Sequence, residues 1–278
     1  MFIIYDENMN EKKLPNGVTP LDIEISSIDK ERATSNIEGS NGKVDYGYTF
    51  NEREITLRMM LRHRDAGDYF LLKDEIYNLF QLNDKIFITE LHQRGKRYLV
   101  TIDDRYEPDN ITRTSAIVEL SCTTVKLPFA ESIGTTQDIE RDGISANEEL
   151  WGFGMGLIAD NESLKYTHTG TLFKIFNAGN VPIHPFEQEL KITISDVVGS
   201  SDYLELENTT NGTIFRVNEG VSSSQEIVID GANITSNGLQ YLRQTNKQFI
   251  ELDVGWNDFR INGATDAKVS FDFRFYYL

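Results

Sequence analysis

One cysteine, Cys122, stands among 278 residues. A lone thiol can neither close an internal disulfide nor build a thiolate zinc cluster. Histidine is nearly as scarce: His63, His92, His168 and His184 make four in all. No two have the i,i+4 spacing of a metal-binding helix, although His168 and His184, on different β segments, could meet. Basic residues are outnumbered, with 27 Lys and Arg against 44 Asp and Glu and a net charge of −17. The excess of acid is shared by both halves. Such a field repels a phosphate backbone and excludes sequence-reading contact with DNA or RNA. No apolar run approaches the roughly 20 residues that span a bilayer. Phe2–Tyr5 is too short for a secretory core and is followed at once by Asp6 and Glu7, so the chain is expected to stay in the cytoplasm that makes it.

Other signatures are missing too. No G-x-S-x-G elbow occurs. Gly152, Gly154 and Gly156 alternate with Trp151, Phe153 and Met155, but neither a lysine nor a helix follows as a phosphate loop would need. Asn110, Asn161, Asn208, Asn211 and Asn233 each begin an N-x-S/T triplet, which without a secretory signal is accident of composition. Asp103-Asp104 follows a strand, and neighbours on a strand point to opposite faces, so a turn is the better reading than an acid–base pair. Glu187 and Glu189 are expected to share a strand face, with no partner that would make a glycosidase pair. Catalysis needs convergent titratable groups, and their lack speaks against an enzyme such as a wall glycosidase.

What the chain does have is alternation. Val269, Phe271, Phe273, Phe275 and Tyr277 fall on one side of the final run, and Ser270, Asp272, Arg274 and Tyr276 on the other. Period two is the pattern of a strand with one buried face. Ile250, Leu252, Val254 and Trp256 alternate likewise, and Asn262-Gly263 is a two-residue turn signal. The chain is therefore expected to end in antiparallel β structure with the last strand in the core. Other strands are expected at 172–177, 189–195, 203–207, 213–217 and 226–230, with a helical turn or loop over 232–246. This succession of short strands points to a β-sandwich over residues 151–278.

The first half mixes the two periods. Leu21, Ile23 and Ile25 alternate, and Pro15-Asn16-Gly17 and Pro20 mark turns. Residues 29–47, charged and glycine-bearing, read as a long loop or exposed hairpin. A strand pattern returns from Tyr48 to Arg62. Gly67-Asp68 opens the one convincing helix, with Asp68 as N-cap; Phe70, Leu72, Ile76, Leu79 and Phe80 recur at helical spacing and Asn83-Asp84 ends it. Strands follow at 86–91, 98–102 and 116–125. Residues 1–130 thus form an α+β domain. Residues 131–150, small and then charged (Asp138, Glu140, Arg141, Asp142, Glu148, Glu149), read as a linker. Trp151, Tyr203, Tyr241 and Trp256 would serve as sugar-stacking platforms if exposed, though most aromatics of a sandwich are core.

Certain stretches stand in a telling order: Leu21–Ser27, Gly39-Ser-Asn-Gly42, Tyr48–Ile55, the helix Tyr69–Leu82, Tyr98–Ile102 and Val118–Phe129. In the second half come Phe176–Pro182, Ile227–Asp230 and Asn262-Gly263 before the aromatic final strand. Over nearly the whole chain this order resembles the siphophage distal tail protein family, often called Dit, of phages infecting Gram-positive bacteria. The resemblance implies a mainly β structural protein of the virion, made in the host bacterial cytoplasm. Its N-terminal domain would carry one helix on a β-barrel-like sheet and form a homo-hexameric ring at the tail tip. That ring would join the tail tube protein to the tail-associated hub (fibre or lysin) protein. A galectin-like C-terminal sandwich would project outward and hold receptor-binding proteins. The genome would pass through the lumen without specific binding, and acidic residues there would keep it from sticking. The resemblance names no catalytic, cofactor-binding or metal-binding residue, and no membrane. One departure is visible: His184-Pro-Phe-Glu187 does not match the saccharide motif of galectins, which favours a scaffold. The competing reading is a carbohydrate-binding module that contacts host cell-wall glycans.

Overall fold

The structure, a computed structural model, describes residues 1–39, 41–144, 150–152 and 154–278. Ser40, Glu148, Glu149 and Phe153 lie outside the described residues. The chain divides into two compact units, Met1–Ala130 and Glu131–Tyr277.

In the first unit the strands are β1 (Phe2–Tyr5), β2 (Val18–Ile25), β3 (Lys30–Ser35), β4 (Val44–Phe50) and β5 (Glu54–Arg62). After helix α1 (Ala66–Gln81) come β6 (Ile86–Glu90), β7 (Lys96–Thr101), β8 (Asp109–Thr112) and β9 (Ser115–Thr124). The main sheet runs in the order β1-β6-β7-β9-β5-β2, with β8 paired to β9. Its centre is the β5–β9 ladder, in unbroken register from Glu54↔Thr123 to Arg62↔Ser115. The period of two is obeyed strictly there: Ile55, Leu57, Met59 and Leu61 face Ala116, Val118, Leu120 and Cys122, all fully buried. Each of the larger side chains contributes about 1.5–3 kcal/mol by leaving water. Burial also pushes the Cys122 thiol up to about 12, so it behaves as a small apolar core group and not as a nucleophile. Pro20 lies inside β2, at a register shift, and not in a turn. This fits because β2 is an edge strand, where the missing N–H costs no ladder bond.

Helix α1 begins earlier than the sequence suggests. Asp65 is the N-cap, its carboxylate accepting from the Asp68 N–H at 2.9 Å. Asp68, in the first turn, instead accepts from the Arg64 N–H at 2.8 Å. Leu72, Ile76 and Phe80 are buried as the spacing requires, while Phe70 is exposed.

The second unit opens with β10 (Ala130–Ser132) and helix α2 (Thr136–Asp142), so the first part of the expected linker is folded. Then follow β11 (Thr167–Thr169), β12 (Leu172–Asn177), β13 (Leu190–Val198), β14 (Leu204–Asn208), β15 (Thr213–Val217), β16 (Ile227–Asp230), β17 (Asn233–Ser236) and β18 (Leu239–Gln240). A 3-10 turn (Leu242–Gln244), β19 (Gly255–Asn262), β20 (Asp266–Phe273) and β21 (Tyr276–Tyr277) complete the chain. One sheet has the order β11-β20-β13-β16-β17-β18 and the other β12-β19-β14-β15. Phe271 of the first lies 4.9 Å from Phe259 and 6.1 Å from Phe173 of the second, ring centre to ring centre. The two sheets therefore share an aromatic core, as a sandwich must.

Three expectations at the C-terminus need correction. Residues 249–256 are not one strand. Ile250 and Leu252 are buried but Val254 is exposed, and from Asn257 the buried positions become odd: Asn257, Phe259, Ile261. Gly255, at φ +84°, shifts the phase. Asn262-Gly263 does not close a hairpin, because β19 and β20 belong to different sheets. The pair is a corner between them. Gly263 is required there: its φ is +80°, and a Cβ would sit 2.3 Å from the Tyr203 carbonyl oxygen. Asn262 serves otherwise, donating to Glu205 Oε1 at 2.9 Å. Finally, the aromatic run is two strands, β20 and β21, and Tyr276 is buried as well as Tyr277. The Tyr276 hydroxyl accepts from the Glu189 N–H at 3.0 Å, and Tyr277 donates to the Met155 carbonyl at 3.0 Å.

Since Phe271 joins the two sheets and is fully buried, Phe271→Ala is expected to destabilise folding by about 3–5 kcal/mol. Denaturant unfolding of the full chain measures this; a loss below about 1 kcal/mol would mean that the sheets are held by other contacts.

Candidate functional site

The titratable residues do not converge. His63 is buried beside the helix entry, with Nδ1 3.2 Å from the Asp65 carbonyl and its ring 5.1 Å from Tyr69. His92 is in the turn after β6. His168 stacks on Phe173 at 5.1 Å, whereas His184 stands 3.5 Å from Glu251, so the two have separate partners. Asp103 and Asp104 lie in the irregular segment after β7, with a bend at Asp104. Glu187 and Glu189 do not share a strand: Glu187 is in a turn, its N–H bonded to the His184 carbonyl, and Glu189 pairs with Arg274 at 2.9 Å just before β13. Among the described residues, no three His, Cys, Asp or Glu gather as a metal would need.

Asn208, which begins one of the N-x-S/T triplets, proves structural. Asn208 and Asn257 are fully buried and bonded to each other at 3.0 Å. Asn208 also donates to the Glu251 carbonyl, and Asn257 to the carbonyls of Asp253 and Gly255, which fixes the loop before β19. A buried amide has to find such partners. Of the aromatic candidates, Trp151 is buried, 6.2 Å from Phe275. Tyr241 is buried and donates to Glu219 at 2.6 Å. Tyr203 lies beneath the Arg216 guanidinium at 4.2 Å. Trp256 is partly exposed beside a cleft.

The most unusual surface is the β3–β4 hairpin. Its strands pair only with each other among the described residues. Lys30 opposes Phe50 and Ser35 opposes Val44, with a register shift between Arg32 and Thr34. Nearly every residue is exposed; Tyr46 is 68%, Ile37 56% and Tyr48 47% open to solvent. The root is anchored. Asn51 N–H bonds the Asp29 carbonyl at 2.9 Å, and Phe50 meets Phe129 edge-on at 5.5 Å. Beyond the root, Tyr48 stands 5.3 Å from Phe50 and 4.6 Å from the Lys30 ammonium. Asp45 pairs with Arg32, and it also accepts from the Gly47 N–H at 2.9 Å. The Gly47 bond, followed by Arg32, holds the Asp45 carboxyl below its usual range. An isolated two-stranded ribbon is marginal in water, and this one carries open tyrosines and, between its strands, an open isoleucine. Sequence reading placed Tyr48 and Phe50 at the start of a core strand, so it missed that Tyr46, Tyr48 and Phe50 alternate along a separate strand.

A family model described as the phage tail protein RIFT-related domain matches residues 4–123. No curated protein matches the chain. Among solved structures, the Dit protein of phage SPP1, described as a paradigm of the hub adsorption apparatus in phages infecting Gram-positive bacteria, is 12% identical. The match covers 99% of this chain and 99% of that one, with a TM-score of 0.65. A chain of the phage p2 baseplate in its activated conformation is 10% identical, with 98% and 97% covered and a TM-score of 0.41. Residues 4–123 thus match a phage tail protein RIFT-related domain, and the whole chain, mainly β, shares the fold of the phage SPP1 Dit protein.

Proposed function

We propose that the chain is a structural protein of a phage tail tip or baseplate. In this reading the first unit closes into a hexameric ring between the tail tube protein and the tail-associated hub protein. The second unit is the outward sandwich, galectin-like in its resemblance, on which receptor-binding proteins are anchored. The observation that carries the proposal is the exposed β3–β4 arm on the unit that matches the phage tail family. A ring of one repeated chain needs a heterologous interface, one patch against a different patch of the next copy, that closes on itself. The arm supplies one of the two patches. Its aromatic side chains bury well against a neighbour and need little ordering to do so. The reading assigns no bond-making chemistry to the chain.

The net charge of −17 suits a conduit for a polyanion. Acidic side chains at a lumen repel phosphate, and repulsion falls off over about 8 Å at physiological salt.

The purified chain, alone or with the tube protein, is expected to show the mass of a hexamer of the 31.8 kDa protein and a central hole in negative stain. Deleting residues 32–45 is expected to abolish rings while the β5–β9 core still folds; intact rings would remove the arm from the interface. Tyr46→Ser with Tyr48→Ser is expected to change folding stability by no more than about 0.5 kcal/mol and still to weaken assembly at least tenfold. An unaltered assembly midpoint in sedimentation would refute the role given to these rings. Phages carrying Gln or Asn in place of exposed acids of the first unit are expected to eject DNA more slowly, and an unchanged ejection rate would end the electrostatic argument.

A further inference from the structure

The first unit carries two clefts at opposite ends of its central ladder. At the Glu54 end of β5, beside the root of the arm, a cleft of about 770 Å³ is lined by Asp29, Glu52 and Glu54, all exposed. Lys126 is the one base among the described residues that line it. At the Arg62 end, a cleft of about 910 Å³ lies between the start of α1 and the hairpin that joins β8 to β9. Arg64 and Arg113 line it, exposed and without an ion pair to any described residue. Asp65 is the one acid among the described residues that line it, and its carboxylate is taken up by the Asp68 N–H as the helix cap. The ends of the nine-residue β5 are about 27 Å apart. One unit thus bears an acidic patch at one end of the ladder and a basic patch at the other.

The basic end also leaves apolar surface uncovered. Phe70 and Ile111 are 61% and 57% open to solvent. Phe70 stands 5.5 Å from Tyr69, which lines the same cleft as Ile111. Among the described residues β8 pairs on one side only, with β9, so its other edge offers backbone N–H and carbonyl groups to a further strand. His63, 8% exposed, lines this cleft too. With Nδ1 donating to the Asp65 carbonyl at 3.2 Å, the neutral ring has Nε2 as an acceptor, and that atom meets no donor among the described residues. A buried acceptor without a donor marks a lining that the single chain leaves incomplete.

We propose that the basic end seats a second copy of this chain. The acidic cleft of one copy meets Arg64 and Arg113 of the next, and the arm that rises beside that cleft lies along β8 and covers Ile111 and Phe70. This rests on the ring put forward above and supplies the second patch that its heterologous interface needs. Charge selects the occupant. Opposite charges favour contact of one end with the other, whereas two acidic ends or two basic ends repel, which disfavours a two-fold dimer through either. The arm also brings open strand edges of its own, since β3 and β4 pair only with each other among the described residues.

The test is the sedimentation midpoint for assembly of the full chain at low salt, alone and with the tube protein. Arg64→Glu with Arg113→Glu is expected to weaken assembly at least tenfold with an unchanged melting temperature, and Glu52→Lys with Glu54→Lys to do the same. The chain that carries all four substitutions is expected to assemble within about threefold of the parent, because each contact again joins opposite charges. Phe70→Ser with Ile111→Ser is expected to cost at least tenfold as well. Suppose the parent forms rings. Then a midpoint unmoved by either charge reversal or by the two serines, or a chain with all four reversals as weak as those with two, overturns this docking and leaves the proposed function standing. A parent that forms no ring, alone or with the tube protein, overturns both.

Discussion

The sandwich of the second unit depends on how the open edge of its last long strand is closed. Strand β20 is flanked by β11 only as far as Ser270. The Phe271 N–H still bonds the Tyr166 carbonyl at 2.9 Å, but beyond it the Phe271 carbonyl and the Phe273 N–H would be left without partners, at a cost of about 1–3 kcal/mol each. Residues 131–142 prevent this. Thr136 Oγ1 donates to the Phe271 carbonyl at 3.0 Å and accepts from the Phe273 N–H at 3.1 Å; Gln137 adds a second donor to Phe271 at 2.7 Å. Ser132 then exchanges backbone and hydroxyl bonds with Phe275, at 2.8 and 3.0 Å. Arg274 completes the closure, bonding the carbonyls of Ser132 and Ile133 as well as Glu189. The stretch that looks like a linker in composition thus supplies the edge that lets Phe271, Phe273 and Phe275 stay dry. The same closure ends β20 at Phe273 and restarts the strand as β21.

Where one residue type decides the outcome, the sequence is legible. The two strands of the β5–β9 ladder could be read directly, though not their pairing, since eight buried apolar positions alternate with less buried ones that are polar except for Met60 and Ile117. The one long helix was readable too, but its first residue was not. Asp65 and Asp68 are equally good caps by type, and Gly67 looks like a breaker; the choice falls to Asp65 because its carboxylate reaches the Asp68 N–H. Asn262-Gly263 shows the limit more sharply. The dipeptide signals a turn correctly, yet it cannot say whether the next strand returns to the same sheet. Here Tyr203, from far along the chain, crowds Gly263 and turns the chain to the other layer. The phase shift at Gly255 is of the same kind, being set by Asn208 and Asn257, two buried amides that no local pattern announces.

The surfaces that bear on function were less legible than the core, for a physical reason. Burial imposes a period on sequence, and exposure imposes none. In the arm, Lys30, Arg32 and Tyr48 cluster because Arg32 pairs opposite Tyr48 and Lys30 opposite Phe50, whereas composition alone leaves open a long loop or an exposed hairpin. On the second unit, Lys174 and Arg260 are far apart along the chain and come onto one sheet face only because β12 pairs with β19. Trp256 could be named from sequence as one of four aromatic candidates. Only packing separates it from Trp151, which fills the core beside Phe275, and from Tyr241, whose hydroxyl is taken by Glu219.

The two exposed aromatic surfaces also differ in setting. The tyrosines of the arm stand on a thin ribbon whose far face is solvent, so their contribution is gained only when another surface covers them and excludes water. A protein patch does that; a small ligand does not. Trp256 is already fixed by Phe176 and flanked by charged groups held on a sheet. It exposes only part of one ring. In the proposed ring, what the arm recognises is therefore another protein surface.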